Sequence, residues 1–199
     1  FQRENLMDGL KEANINDIIL ISDLDEIPNL SNLNFDKISN KIIIFEQKMF
    51  YYKLNLFYKD SFWHGTKACK MKNLISPQWL RNIKAKNYPN WRLDLFFSKK
   101  KYTDIFFVKN GGWHFTYLKT PENLEKKLLN FAHHHEFKKS GLKINDIKKF
   151  MRERRVVYDH NIDQKGYKWS GKSILEKVEN KYLPSYITEN LEKFKIWLD

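Results

Sequence analysis

The stretch Asp17-Ile18-Ile19-Leu20-Ile21-Ser22-Asp23-Leu24-Asp25-Glu26-Ile27-Pro28 constrains this chain more than any other. Four consecutive apolar residues, three of them β-branched, read as a strand buried on both faces, the kind found in parallel sheets of α/β domains. Three acids follow at once, and Pro28, which cannot donate to a ladder, closes the segment. Ligands of open α/β sheets bind outside the carboxyl ends of strands, so acids there are placed for chemistry. On extended backbone Asp23 and Asp25 point the same way, with Leu24 opposed. Two hard oxygen ligands then converge on one point, as suits Mg²⁺ or Mn²⁺ bridging to a diphosphate. Acids after a strand also cap helices or line solvated turns; the buried strand before them and the third acid after them favour the metal site.

At 199 residues, 42% hydrophobic and 16% aromatic, the chain is expected to form a single domain, residues 1–199, with an ample core. Its single cysteine, Cys69, excludes an internal disulfide framework and reads as a core thiol. No run approaches the roughly 18–20 apolar residues needed to cross a bilayer, and nothing at the start reads as a signal peptide. The expected location is therefore cytoplasmic or peripheral to the cytoplasmic face of a membrane. The net charge of +12 favours polyanions, an anionic membrane face or a nucleotide diphosphate. Lysine-, asparagine- and isoleucine-rich usage equally follows from an AT-rich genome.

Leu6, Leu10 and Ala13 predict a short amphipathic helix over 3–14, leading into the strand. A polar loop, 29–34, follows Pro28, and 41–45, 49–56, 91–97 and 105–108 read as strands. Trp63, in Phe62-Trp63-His64-Gly65-Thr66-Lys67, either stacks on a sugar or base or belongs to the core. In Gly111-Gly112-Trp113-His114-Phe115 the paired glycines permit positive φ or close approach to a ligand, and Trp113 and His114 suit stacking and hydrogen bonding to a sugar. A plain hairpin with a core tryptophan fits this segment as well. Thr120-Pro121-Glu122 is a helix start, with Leu124, Leu128 and Phe131 as its buried stripe and His133-His134-His135-Glu136 near its end. Neighbours on a helix lie about 100° apart, so at most one or two of these histidines share a ligand. Ile144, Ile147, Phe150 and Met151 predict another helix, 156–175 an irregular loop, and Pro184 starts a last helix bearing Ile187, Leu191, Phe194 and Leu198.

In order along the chain, Phe1-Gln2-Arg3 with Gly9-Leu10, Ile21-Ser22-Asp23-Leu24-Asp25-Glu26-Ile27-Pro28, Trp63-His64-Gly65-Thr66, Gly111-Gly112-Trp113-His114-Phe115 and Lys127 through Phe131-Ala132-His133 resemble glycosyltransferase family 17, the β-1,4-mannosyl-glycoprotein β-1,4-N-acetylglucosaminyltransferases of N-linked glycosylation. The resemblance implies an α/β, GT-A-like nucleotide-sugar transferase fold whose first N-terminal βα elements lie outside this chain. It further implies a UDP-GlcNAc donor, a glycan or glycoconjugate acceptor, and Mn²⁺ or Mg²⁺ as cofactor. Asp23 and Asp25 match the metal–diphosphate motif, and His133 matches the position of a distant third metal ligand. Glu26 is a candidate for holding a sugar hydroxyl, and Trp63, Gly112, Trp113 and His114 for contacting substrate.

Inverting transfer needs a carboxylate to take the acceptor's proton, and Glu136 and Asp94 are the candidates. A second enzymatic reading is a haloacid-dehalogenase-type phosphatase, D-x-D-x-[TV], although Ile27 stands where that pattern wants Thr or Val. A basic polyanion- or glycan-binding module is the non-enzymatic one; no nucleic-acid motif accompanies the charge.

Overall fold

A computed structural model describes residues 4–31, 33–89, 91–95, 97–131, 134–160, 162 and 166–199. The strands are β1 (Ile18–Ile21), β2 (Glu26–Pro28), β3 (Ile42–Phe45), β4 (Gln47–Tyr51), β5 (Leu56–Trp63), β6 (Lys67–Lys70), β7 (Ile105–Val108), β8 (Gly112–Thr116) and β9 (Glu176–Lys177). The α-helices are α1 (Pro77–Asn82), α2 (Pro121–Asn130), α3 (His134–Ser140), α4 (Ile144–Arg152), α5 (Ser185–Thr188) and α6 (Leu191–Phe194). The fold is mixed α/β, and the chain divides into two compact units, Phe1–Gln47 with Trp63–Gly112, and Lys48–Phe62 with Trp113–Asp199.

The first unit is built on a mixed sheet of order β1-β6-β3-β7. β6 runs antiparallel to both of its neighbours, and β3 pairs parallel to β7 from Ile42↔Ile105 to Phe45↔Val108. The strand buried on both faces is β3. Ile42 and Ile44 join Ile19, Ile21, Cys69, Leu80, Ile83 and Ile105 on one side, while Ile43 and Phe45 join Ile38 and Ala68 on the other. Each fully buried isoleucine there contributes about 1.5–3 kcal/mol. β1 is instead an edge strand with an antiparallel partner, registered Ile18↔Lys70 to Ile21↔Lys67, and only Ile19 and Ile21 of its four residues are buried. An all-isoleucine-and-leucine tetrapeptide fits either place, because a half-covered edge still packs Ile18 and Leu20 partly against the second cluster.

Two further expectations change in this unit. Residues 4–10 form a 3-10 helix, from which Leu10 packs on the core while Leu6 stays exposed. The described residues of the expected strand at 91–97 form a loop with a 3-10 turn at Leu93–Leu95, held locally by Arg92 and Lys101 on Asp94. Among the described residues, no strand pairs with these apolar positions.

The second unit carries strands in the order β8-β4-β5-β9, with β4 parallel to β8 from Lys48↔Trp113 to Tyr51↔Thr116. The period-2 alternation of β4 sends Met49 and Tyr51 to one core, with Leu124, Leu128, Phe137, Ile147 and Trp169, and Phe50 to another, with Leu54, Phe115, Leu183 and Ile187. The turn after β4 places Tyr52 at φ 63°, so the run expected over 49–56 splits between β4 and β5. Thr120 caps α2 by accepting from Asn123 N–H at 3.3 Å, with Pro121 in the first turn. That helix stops at Asn130, so His134, His135 and Glu136 open α3 rather than close α2.

The described residues of 156–175 are largely irregular, as expected, and several are tied to the core. Tyr51 and Tyr52 donate to the carbonyls of Tyr158 (2.7 Å) and Arg155 (2.9 Å), and Tyr58 donates to the buried Asp159 at 2.5 Å. The last helix breaks into α5, α6 and a 3-10 turn at Lys195–Trp197.

Candidate functional site

The acidic segment leaves extended geometry as soon as β1 ends. Glu26 N–H donates to the Asp23 carbonyl at 3.0 Å, closing a turn over 23–26, so the strand alternation that would align Asp23 with Asp25 does not operate there. Ser22 braces the turn: its hydroxyl donates to the Glu26 carbonyl at 3.0 Å and shares a 2.6 Å hydrogen bond with Thr66. Asp23 and Asp25 are half-exposed on this turn, and Leu24 between them is fully exposed.

Glu26 is the hub. Its carboxylate, with a side chain 1% exposed, accepts from Asp23 N–H at 2.9 Å, Trp63 Nε1 at 2.6 Å, and Arg81 Nη1 and Nη2 at 3.0 and 2.7 Å. Four donors on a buried carboxylate satisfy both oxygens, the condition under which a buried charge is tolerated. Trp63, expected either to stack on a ligand or to sit in the core, thus spends its indole N–H on Glu26. Glu26 itself, expected to hold a sugar hydroxyl, is turned inward and holds the turn.

Arg81 completes the cluster from α1. Ser76 caps that helix by accepting from Trp79 N–H at 3.1 Å, and Pro77 fills its first turn. The guanidinium, only 10% exposed, reaches Glu26, donates to Asp23 Oδ2 at 2.6 Å and also to the Gly65 carbonyl. A Cβ at Gly65 would overlap Glu26 Oε1 and Trp63 Nε1, so glycine is required by packing here. Lys67 donates to the carbonyls of Arg81 at 2.7 Å and Ile83 at 2.5 Å, closing the carboxyl end of α1. Burial pushes its ammonium down to about 8, the Arg81 charge adds to the fall, and Glu26 opposes it.

His64, beside this cluster in sequence, and the remaining predicted site residues are distributed more widely. His64 lies 3.6 Å from Glu46 and edge-on to Phe107; burial lowers its pKa against the pull of Glu46. Gly112 has φ +129°, the positive φ expected of the glycine pair, and a Cβ there would overlap the Ile27 carbonyl, so the close approach at this glycine is to the chain's own backbone. Asp94 shares the first unit but sits on the exposed 91–97 loop. Hydrogen bonds from Arg92 and then Lys101 bring its carboxyl down to about 2.

Trp113, His114 and Glu136 belong to the second unit. Trp113 donates its indole N–H to the Tyr182 carbonyl at 2.8 Å, and His114 is buried on β8. Glu136 lines a cavity of about 640 Å³ with Lys139, Ser140, Tyr158, Tyr167, Lys168 and Trp169. His133 lies outside the described residues.

The chain matches no family model, no curated protein and no solved structure. Function therefore rests on the site itself. Among the described residues, no three His, Cys, Asp or Glu side chains group into a metal-binding set. A Mg²⁺-type ion held by one or two carboxylates, with waters and substrate phosphates completing its shell, needs no such set. Asp23 and Asp25 stand half-exposed on one turn, with Asp23 Oδ2 paired to Arg81. Arg81, Lys67 and Gly65 were not among the expected site residues, because the cluster they form around Glu26 exists only after folding.

Proposed function

We propose that this chain acts in a metal-dependent, inverting glycosyl transfer of GT-A type, moving N-acetylglucosamine from UDP-GlcNAc to a sugar hydroxyl with β-1,4 linkage. One observation carries the reading: two half-exposed carboxylates, Asp23 and Asp25, stand on a turn at the carboxyl end of β1 that the buried Glu26–Arg81–Trp63 cluster holds in place. Donor, linkage and acceptor class come from the resemblance carried by D-x-D-E-I-P and G-G-W-H-F.

Asp23 and Asp25 would hold Mn²⁺ or Mg²⁺, which when bound neutralises charge on the departing diphosphate. Glu26 acts through position: by accepting the Asp23 N–H and two nitrogens of Arg81, it fixes the turn before any ligand arrives. That pre-organisation spares the ordering of a loop on binding. Arg81 adds a fixed cation against Asp23, of the sign a diphosphate requires. Of the two carboxylates proposed to take the proton of the acceptor hydroxyl, Glu136 and Asp94, the second is disfavoured. Asp94 already shares its charge with Arg92 and Lys101, and a carboxyl held at about 2 is a weak proton acceptor at neutral pH.

Calorimetric titration with UDP in the presence and absence of Mn²⁺ tests this reading, followed by UDP-GlcNAc turnover. The expected result is Mn²⁺-dependent UDP binding that Asp23→Asn and Asp25→Asn each abolish. Binding that ignores both substitutions, or no UDP binding with any divalent ion, overturns it. Phosphate release from a generic phosphoester without UDP dependence would move the chain to the phosphatase class.

A further inference from the structure

The loop between α1 and β7 has no part in the chemistry proposed above, yet it carries the most exposed large apolar side chains of the first unit after Leu24. Trp91 is 80% exposed, Leu93 75% and Phe97 91%, all within seven positions. Isolated exposed apolar residues are ordinary, and three on one short loop supply the kind of apolar surface that interaction sites carry.

Charge accompanies them. Residues 84–104 hold six lysine or arginine residues against two aspartates. Asp94 is neutralised locally by Arg92 at 2.8 Å and Lys101 at 2.6 Å, while Lys84, Lys86, Lys99 and Lys100 are exposed around the base of the loop. Lys84 N–H donates to the Lys100 carbonyl at 2.7 Å, which brings the two basic arms together. Ser98 Oγ accepts from Lys100 and Lys101 N–H at 3.2 Å each, setting a tight turn after Phe97. The half-buried Tyr88 ring has Lys86, Arg92 and Lys101 within 6 Å of its centroid. The loop is anchored by Trp79 on α1, which donates to the Tyr102 hydroxyl at 3.1 Å. An apolar tip with a basic collar is the amphipathic arrangement that enters a lipid interface, with aromatic rings at headgroup depth and lysines toward anionic headgroups.

We infer that the 84–104 loop docks this chain on an anionic phospholipid surface, with Trp91, Leu93 and Phe97 inserted and Lys84, Lys86, Lys99 and Lys100 facing the headgroups. Leu93 decides between a membrane and a nucleic acid: an aliphatic side chain at the tip adds nothing to base stacking but adds apolar area to insertion. No helix among the described residues is long and apolar enough to cross a membrane. This inference does not depend on the glycosyltransferase reading, and it holds or falls whether or not UDP binds.

Cosedimentation with phosphatidylcholine vesicles, with and without phosphatidylserine and at low and high salt, tests it. The whole chain should bind the phosphatidylserine vesicles at low salt and release at high salt. Lys99→Ala/Lys100→Ala should weaken binding on the order of 25-fold, at roughly fivefold per lysine. Trp91→Ser/Phe97→Ser should weaken it at least about tenfold with an unchanged thermal melting curve, since both side chains are exposed. Equal binding to uncharged vesicles, or binding untouched by Trp91→Ser/Phe97→Ser, overturns the proposal. So does binding of a single-stranded oligonucleotide, followed by anisotropy, in the absence of vesicle binding.

Discussion

Glu26→Gln keeps the shape of a side chain but removes the charge that faces Arg81. The guanidinium is 10% exposed and the Glu26 side chain 1%, so solvent screens little of the pair. Removing one partner of a buried ion pair costs about 3–5 kcal/mol, because the other charge is left in low dielectric. Arg81 retains Asp23 at 2.6 Å, which puts the expected loss near the lower end, about 3 kcal/mol. With a urea slope of about 2 kcal/mol per molar, the midpoint followed by tryptophan fluorescence falls by about 1.5 M. Asp23→Asn provides the contrast. Its side chain is 39% exposed, so losing its share of Arg81 should change stability by no more than about 1 kcal/mol while eliminating metal-dependent UDP binding. A cycle with Arg81→Met and the double variant should yield a Glu26–Arg81 coupling of about 2–3 kcal/mol. If Glu26→Gln costs under about 1 kcal/mol, or the double variant shows no coupling, Glu26 is not the residue that holds the turn.

Gly65→Ala should destabilise the first unit by at least as much as a typical overpacked core substitution, about 1–3 kcal/mol, since the added methyl meets a carboxylate that cannot move without losing Arg81; urea unfolding measures it. His160 gives the second unit a pH dependence. Burial, then the neighbouring His114 and Lys168, push its imidazole down to about 4. The unfolded histidine takes its proton near pH 6.5. Stability contributed by the neutral folded ring is therefore complete above about pH 7 and falls by up to about 3 kcal/mol as pH drops from about 6.5 to 4, a slope that His160→Phe should flatten in pH-dependent melts. Cys69 is buried in the β6 core, and burial pushes its thiol up to about 12, so a disulfide reagent should modify it at the global unfolding rate and not before.

Local signals were legible where the cause is local. The Thr120-Pro121 helix start is an N-cap and a fixed φ, both properties of adjacent residues, and α2 begins there. The acids after the Ile18–Ile21 strand, the core cysteine and the positive φ of Gly112 were equally readable. The 91–97 segment misled because strand-like alternation needs a partner strand, and partners are chosen by topology. α2 ended early at Asn130, and the last helix broke twice, for a related reason: helices this short depend on which faces find a core.

The sequence by itself determined that a run of β-branched residues would become a strand and that Asp23, Asp25 and Glu26 would follow its end, because side-chain period and chain order are covalent facts. Tertiary structure alone decided that β1 is an antiparallel edge strand and that the three acids divide their work. Arg81, 55 residues beyond Glu26, arrives on a separate helix. With Trp63 it takes Glu26 inward, and Asp23 and Asp25 stay at the surface. A carboxylate's role follows from its solvent and its counter-charge, and neither exists until the chain has folded.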